Sequence, residues 1–175
     1  METLFIGVFL VLLDISVNIG GYPVGILPDF LGYMMIGRGL SELAGLQSPH
    51  FDRLRGKARV FTVYSLVLYV LSIFRVTEKL GGLGLVISLV TFVFAVYTVL
   101  EIIKGIRDAE LALESDFQVK TLTKAFCVWT VVGLAAVILC ETRFASQGVI
   151  LNLAISALYL YVFNKSVNLY MAKTK

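Results

Sequence analysis

Five side chains of this 175-residue chain could do chemistry within otherwise apolar surroundings: Asp14, Asn18, Asp29, Arg38 and Glu101. Asp14 lies ten residues beyond Leu4 in an apolar run with no other charge. A carboxylate there costs about 2.5–3.5 kcal/mol unless it meets a partner or water. Gly7, Val11, Asp14, Asn18 and Gly21 advance by four, three, four and three residues, so on a helix they form one protein-facing stripe. Asn18 is then placed to donate to the Asp14 carboxylate. Arg38 is the natural cationic partner of Asp14 across an antiparallel hairpin; the alternatives are snorkelling or a pair with Glu42 one turn on. Asp29 follows Pro28 in the first turn of a helix, where free N–H groups and the dipole favour a carboxylate. It is also placed to receive a cation or a substrate amine. Nine residues separate Asp29 from Arg38, about 180° around a helix, so the two face different neighbours. Glu101 ends a second stripe, Gly84, Ser88, Thr91, Ala95, Thr98 and Glu101, which forms either a polar path or a close helix contact.

These groups suit binding and ion pairing rather than catalysis. The sequence contains no HExxH, no GxSxG and no Walker loop. Its one histidine, His50, falls at a cytoplasmic helix start, away from any serine in the membrane. Cys127 and Cys140 are 13 residues apart on one helix. That is roughly 20 Å, too far to bridge. No Cys/His spacing suits a metal, so the reading is of a non-enzyme without cofactor or metal.

The elements that position these residues follow from hydropathy. Hydrophobic residues make up 58% of the chain and charged residues 15%, and the mean hydropathy is +0.89. A soluble domain carries about 25% charged residues, so the chain belongs in a bilayer. The expected fold is all-α: a polytopic transmembrane bundle forming one integral membrane domain over 1–175. Its spans lie at about 4–19, 24–43, 60–74, 80–100, 125–140 and 144–164. The second contains Pro28, Asp29 and Arg38, and if it is re-entrant the count falls to five.

Basic residues set the orientation. With six spans, one side receives Arg38, Arg53, Arg55, Lys57, Arg59, Lys104, Arg107, Lys120, Lys124, Lys165, Lys173 and Lys175; the other keeps Arg75, Lys79 and Arg143. That bias places the C-terminus in the cytoplasm; the N-terminus joins it there with six spans, the favoured count, and lies outside with five. Because these cations sit at helix ends, the net charge of +3 implies no nucleic-acid partner. Ser48-Pro49 reads as an N-cap and first helical residue. Arg53, Arg55, Lys57 and Arg59 follow beside Phe51 and Leu54 and suit anionic lipid headgroups. The stretch from Arg107 to Lys124 reads as a solvated connection, and Trp129, Tyr159 and Tyr161 as interface or lipid-facing aromatics.

Gly25-Ile26-Leu27-Pro28-Asp29-Phe30-Leu31-Gly32-Tyr33, with Gly39-Leu40 and Leu43, resembles the opening of small multi-pass membrane proteins, mostly of Gram-positive bacteria, that carry an "ILPDFxGY" segment after the first helix. The resemblance covers about the first 45 residues. It implies a bacterial cell-membrane location; the family has no assigned activity. The functional expectation is a small transport or membrane-embedded ligand-binding protein using Asp14, Asn18, Asp29, Arg38 and Glu101. The alternative is a non-catalytic assembly or regulatory subunit, with a membrane-protein partner or a second copy of itself.

Overall fold

The computed structural model describes residues 1–13, 16–19, 22–25, 28–43, 48–74, 83–140, 142 and 144–174. Its elements are α1 (Glu2–Leu12), β1 (Ser16–Ile19), β2 (Tyr22–Gly25), α2 (Asp29–Glu42), α3 (Pro49–Ile73), α4 (Leu83–Ala112), α5 (Val119–Cys140) and α6 (Ala145–Thr174). Four of these, α3 to α6, are long and apolar enough to cross a membrane. Their outward faces are apolar: Val60 is 63% exposed and Val131 71%. A water-facing monomer does not carry such surface.

The first expected span is corrected. A helix over 4–19 is predicted, but α1 stops at Leu12 and the chain turns into an antiparallel pair with Ser16 opposite Gly25, Asn18 opposite Pro23 and Ile19 opposite Tyr22. Ser16-Val17-Asn18-Ile19 alternates polar and apolar residues, and Val, Ile and Tyr favour strands. The second segment likewise shortens to α2, preceded by β2 instead of more helix.

Helices α1 and α2 lie antiparallel with their backbones in contact. A Cβ on Gly7 would sit 2.7 Å from the Ile36 nitrogen and 2.8 Å from the Gly32 oxygen, which only a glycine permits. Replacing Gly7 with Ala is therefore expected to lower stability by about 1–3 kcal/mol through forced separation of the two helices. Gly56 has nothing within 4 Å of its Cβ position. The same change there is expected to raise stability by roughly 0.5–1 kcal/mol through helix propensity alone. Melting of the two variants in detergent, displaced in opposite directions from the parent, checks both.

Each helix packs on the next in the chain, and α6 returns to α1, closing a ring that α1 and α4 also touch across. Aromatic side chains fill it. Phe30 meets Tyr69 at 5.6 Å between ring centroids, Phe61 stacks on Phe94 at 4.4 Å, and Phe5 stacks on Phe163 at 5.9 Å. Trp129 and Tyr159, expected at the interface, are buried in this core, whereas Tyr161 is 75% exposed. Core and interface both favour aromatic residues, so type alone does not separate them.

The start of α3 is as expected, with Ser48 extended and Pro49 opening the helix. The expected loop over 107–124 is much shorter, because α4 continues to Ala112 and α5 begins at Val119. The connection is tied down: Glu110 accepts the Phe117 N–H at 3.1 Å, and Ser166 donates to the Phe117 carbonyl at 2.7 Å. Its polar residues are largely those of a helix that projects beyond its apolar stretch.

Candidate functional site

Between α1, α2, α4, α5 and α6 lies a cavity of about 260 Å³. The first turn of α2 supplies Asp29, which follows Pro28 in extended conformation (φ −73°, ψ 123°). One turn further on, Tyr33 enters the wall. Helix α4 contributes Ser88, Thr91 and Ala95, consecutive members of the stripe read from the sequence, and Asn152 comes from α6. The remaining wall is largely aromatic and aliphatic, with Phe92 and Trp129 at 5.5 Å between centroids. The indole is fixed by its Nε1–H, which donates to Ser156 Oγ at 3.2 Å.

The charge balance of this lining is one-sided. Asp29 is an acid, and no Lys, Arg or His lines the cavity among the described residues. A carboxylate and aromatic side chains in one lining suit a cation, since aromatic rings attract positive charge within about 6 Å, Trp most strongly. The hydroxyls and the Asn152 amide add neutral hydrogen-bonding groups.

Deeper along α4 the same stripe reaches Thr98 and then Glu101. The buried hydroxyls of Tyr33, Ser65 and Thr98 have no hydrogen-bond partner among the described residues. Glu101 is 4% exposed. His50 Nδ1 donates to its Oε2 at 2.9 Å and Lys104 Nζ donates to its Oε1 at 3.0 Å. Beside them Ser48 donates to Asp108 at 2.6 Å and Lys57 to the Tyr97 hydroxyl at 2.8 Å, clamping the start of α3 to the end of α4. The polar path expected from the stripe thus has an open upper part and a base closed by ion pairs.

The five residues singled out by sequence separate into distinct places. Asp29 and the Ser88–Thr91 part of the α4 stripe meet in the cavity, and Glu101 lies at the far end of that stripe. Arg38 faces away from Asp29, as their spacing predicts, into a groove between α2 and α3. Its expected pair with Glu42 is not formed: the Glu42 carboxylate accepts Thr3 Oγ1 at 2.9 Å. Asp14 lies outside the described residues, so its pairing with Arg38 does too. Asn18 lies in β1, so the helical stripe that joined it to Asp14 ends at Leu12; Gly7 and Val11 do pack against α2.

Three functional neighbours escape sequence reasoning. His50 is an element away from Glu101, 51 residues distant, and only the antiparallel packing of α3 on α4 joins them. Trp129 and Ser156 are likewise 27 residues apart. Compared with protein-family models, curated proteins and solved structures, the chain matches none.

Proposed function

We propose that this chain is a multi-pass protein of the bacterial cytoplasmic membrane that binds or carries a small organic cation in the Asp29 cavity. The observation that carries the reading is the lining itself: the Asp29 carboxylate, the Ser88 and Thr91 hydroxyls and the Asn152 amide, with Phe92 and Trp129, around a space of about 260 Å³. That size lies just under the roughly 300–1,000 Å³ of drug-sized sites and suits a metabolite-sized ammonium ion. Catalysis is not part of the reading, because the one histidine is held by Glu101 outside the cavity lining.

The reading includes six crossings with both termini cytoplasmic. Phe30 against Tyr69 and Gly37 beside Ala58 set α2 along nearly the whole apolar stretch of α3 from Val60 to Phe74. The Thr3–Glu42 hydrogen bond holds the start of α1 level with the end of α2, supporting a hairpin whose ends share one membrane face. In the five-span alternative those ends lie on opposite faces. Open sheet edges do not face lipid, so the β1–β2 hairpin belongs at the outer surface. The basic start of α3 then rests in the anionic inner leaflet, and the Ile26 to Tyr33 segment agrees with the bacterial family it resembles.

Trp129 is the one tryptophan and lines the cavity, so its emission is a built-in reporter. Titrating the purified protein with tetramethylammonium is expected to give a saturable change in that emission. Asp29→Asn is expected to weaken binding at least about tenfold, the loss of one charge-assisted contact, at unchanged protein level. No saturable response in the parent, or equal affinity in Asp29→Asn, sinks the cation reading. Loss of a co-purifying protein in the variant would favour an assembly subunit instead.

A further inference from the structure

On the other side of α2 a second space of about 620 Å³ opens between α2 and α3. Three arginines line it: Arg38 from α2 and Arg55 and Arg59 from α3. Arg55 and Arg59 are four residues apart, so they share one face of α3, and the approach of Gly37 to Ala58, 3.7 Å from its Cβ position, brings the Arg38 turn against that face. No acid lines the groove, and among the described residues none of the three guanidinium groups makes a hydrogen bond or ion pair. Three like charges converging on one space without an acid favour an anion there. The guanidinium fork matches phosphate oxygens two at a time.

The groove is distinct from a general basic coat. Of the four cations at the start of α3, Lys57 turns to the opposite neighbour, with Nζ 4.2 Å from the Tyr97 ring centroid, and Arg53 does not line the groove. Arg59 borders the apolar run of α3, the depth at which a headgroup sits. Below it, Val63 and Met34 line the same groove, and both are exposed and apolar. A phosphate at the arginines with an acyl chain along Met34 and Val63 meets both parts.

We propose that the Arg38–Arg55–Arg59 groove is a discrete binding site for one anionic phospholipid. The chemistry recognised is a phosphate anion, and the apolar floor assigns it to a lipid rather than to free phosphate. The proposal stands independently of the cation cavity.

The test uses the full chain in zwitterionic detergent micelles supplied with phosphatidylglycerol, with retained lipid counted by native mass spectrometry. About one phosphatidylglycerol per chain is expected, with retention falling on the order of tenfold in Arg55→Ala and in Arg59→Ala, each removing one charge-assisted contact. Arg38→Lys is expected to retain an intermediate amount, since it keeps the charge and loses the fork. Arg53→Ala is expected to match the parent. These positions are exposed, and surface substitutions usually leave folding nearly unchanged; unchanged melting verifies that. Equal retention in all variants overturns the proposal, as does a loss in Arg53→Ala as large as in Arg55→Ala. Displacement of the lipid by inorganic phosphate at equal concentration overturns the assignment to lipid.

Discussion

Replacing His50 with Ala and Lys104 with Met together is expected to destabilise the protein by about 3–5 kcal/mol, the loss seen when a buried charge is left unpaired. Glu101 is nearly sealed from solvent, and the His50 ring N–H and the Lys104 ammonium donate to its oxygens among the described residues. Each single replacement leaves the other donor in place and is expected to cost about 1.5–3 kcal/mol, the worth of a hydrogen bond to a charged group. Adding Glu101→Gln to the double variant removes the uncompensated charge and is expected to restore most of the loss. Denaturation in mild detergent across the four proteins checks this. If the triple variant is no more stable than the double, the carboxylate charge is not what the two side chains serve.

Trp129→Ala is expected to be the most damaging single change in the core, at about 3–5 kcal/mol. The side chain is 2% exposed and meets Phe92, Phe126 and Tyr159 with ring centroids 5.5, 6.2 and 5.9 Å away. Its removal merges the vacated space with the cavity above and strips Ser156 of its donor. Trp129→Phe keeps the ring contacts and loses the N–H, so a loss of about 1 kcal/mol is expected. Ammonium binding separates the two roles, followed by calorimetry because the fluorophore is gone. The Phe variant is expected to bind more weakly than the parent because Trp has the stronger π face, and equal affinity would remove the indole from the recognition.

Local signals carried much of the architecture into the sequence. Ser48-Pro49 marks a helix start because a residue before proline is held extended and proline suits the first helical position. The long apolar runs of α3 to α6 declare themselves because a bilayer demands them. The first hairpin was harder because two periodicities overlap there. Gly7 and Val11 advance at helical spacing, and Ser16 to Ile19 alternate, and nothing local states where one hands over to the other. At the end of α4, Arg107, Asp108 and Glu110 read as loop, yet they lie on a helix that has left its apolar stretch.

The candidate site was legible in its separate pieces and not in its assembly. Asp29 and the Ser88–Thr91 stripe each carried a signal, because a carboxylate or a hydroxyl in an apolar run must be accounted for. Their meeting depends on α1 and α2 inserting between α3 and α6, a tertiary fact set by the Gly7–Gly32 contact. The same holds for the arginine groove: Arg38 looked like a partner for an acid on α1, and only the docking of α2 on α3 turns it toward Arg55 and Arg59.

Tyr33 lines both spaces, the Asp29 cavity and the arginine groove. One side chain is thus shared by the two walls, and an occupant of either space that displaced it would alter the room in the other. Thermodynamic linkage makes such an influence mutual: the factor by which a bound lipid changes ammonium affinity is the factor by which ammonium changes the lipid's. With both proposed occupants bound, lipid composition at the inner leaflet would be registered at the far side of one helix.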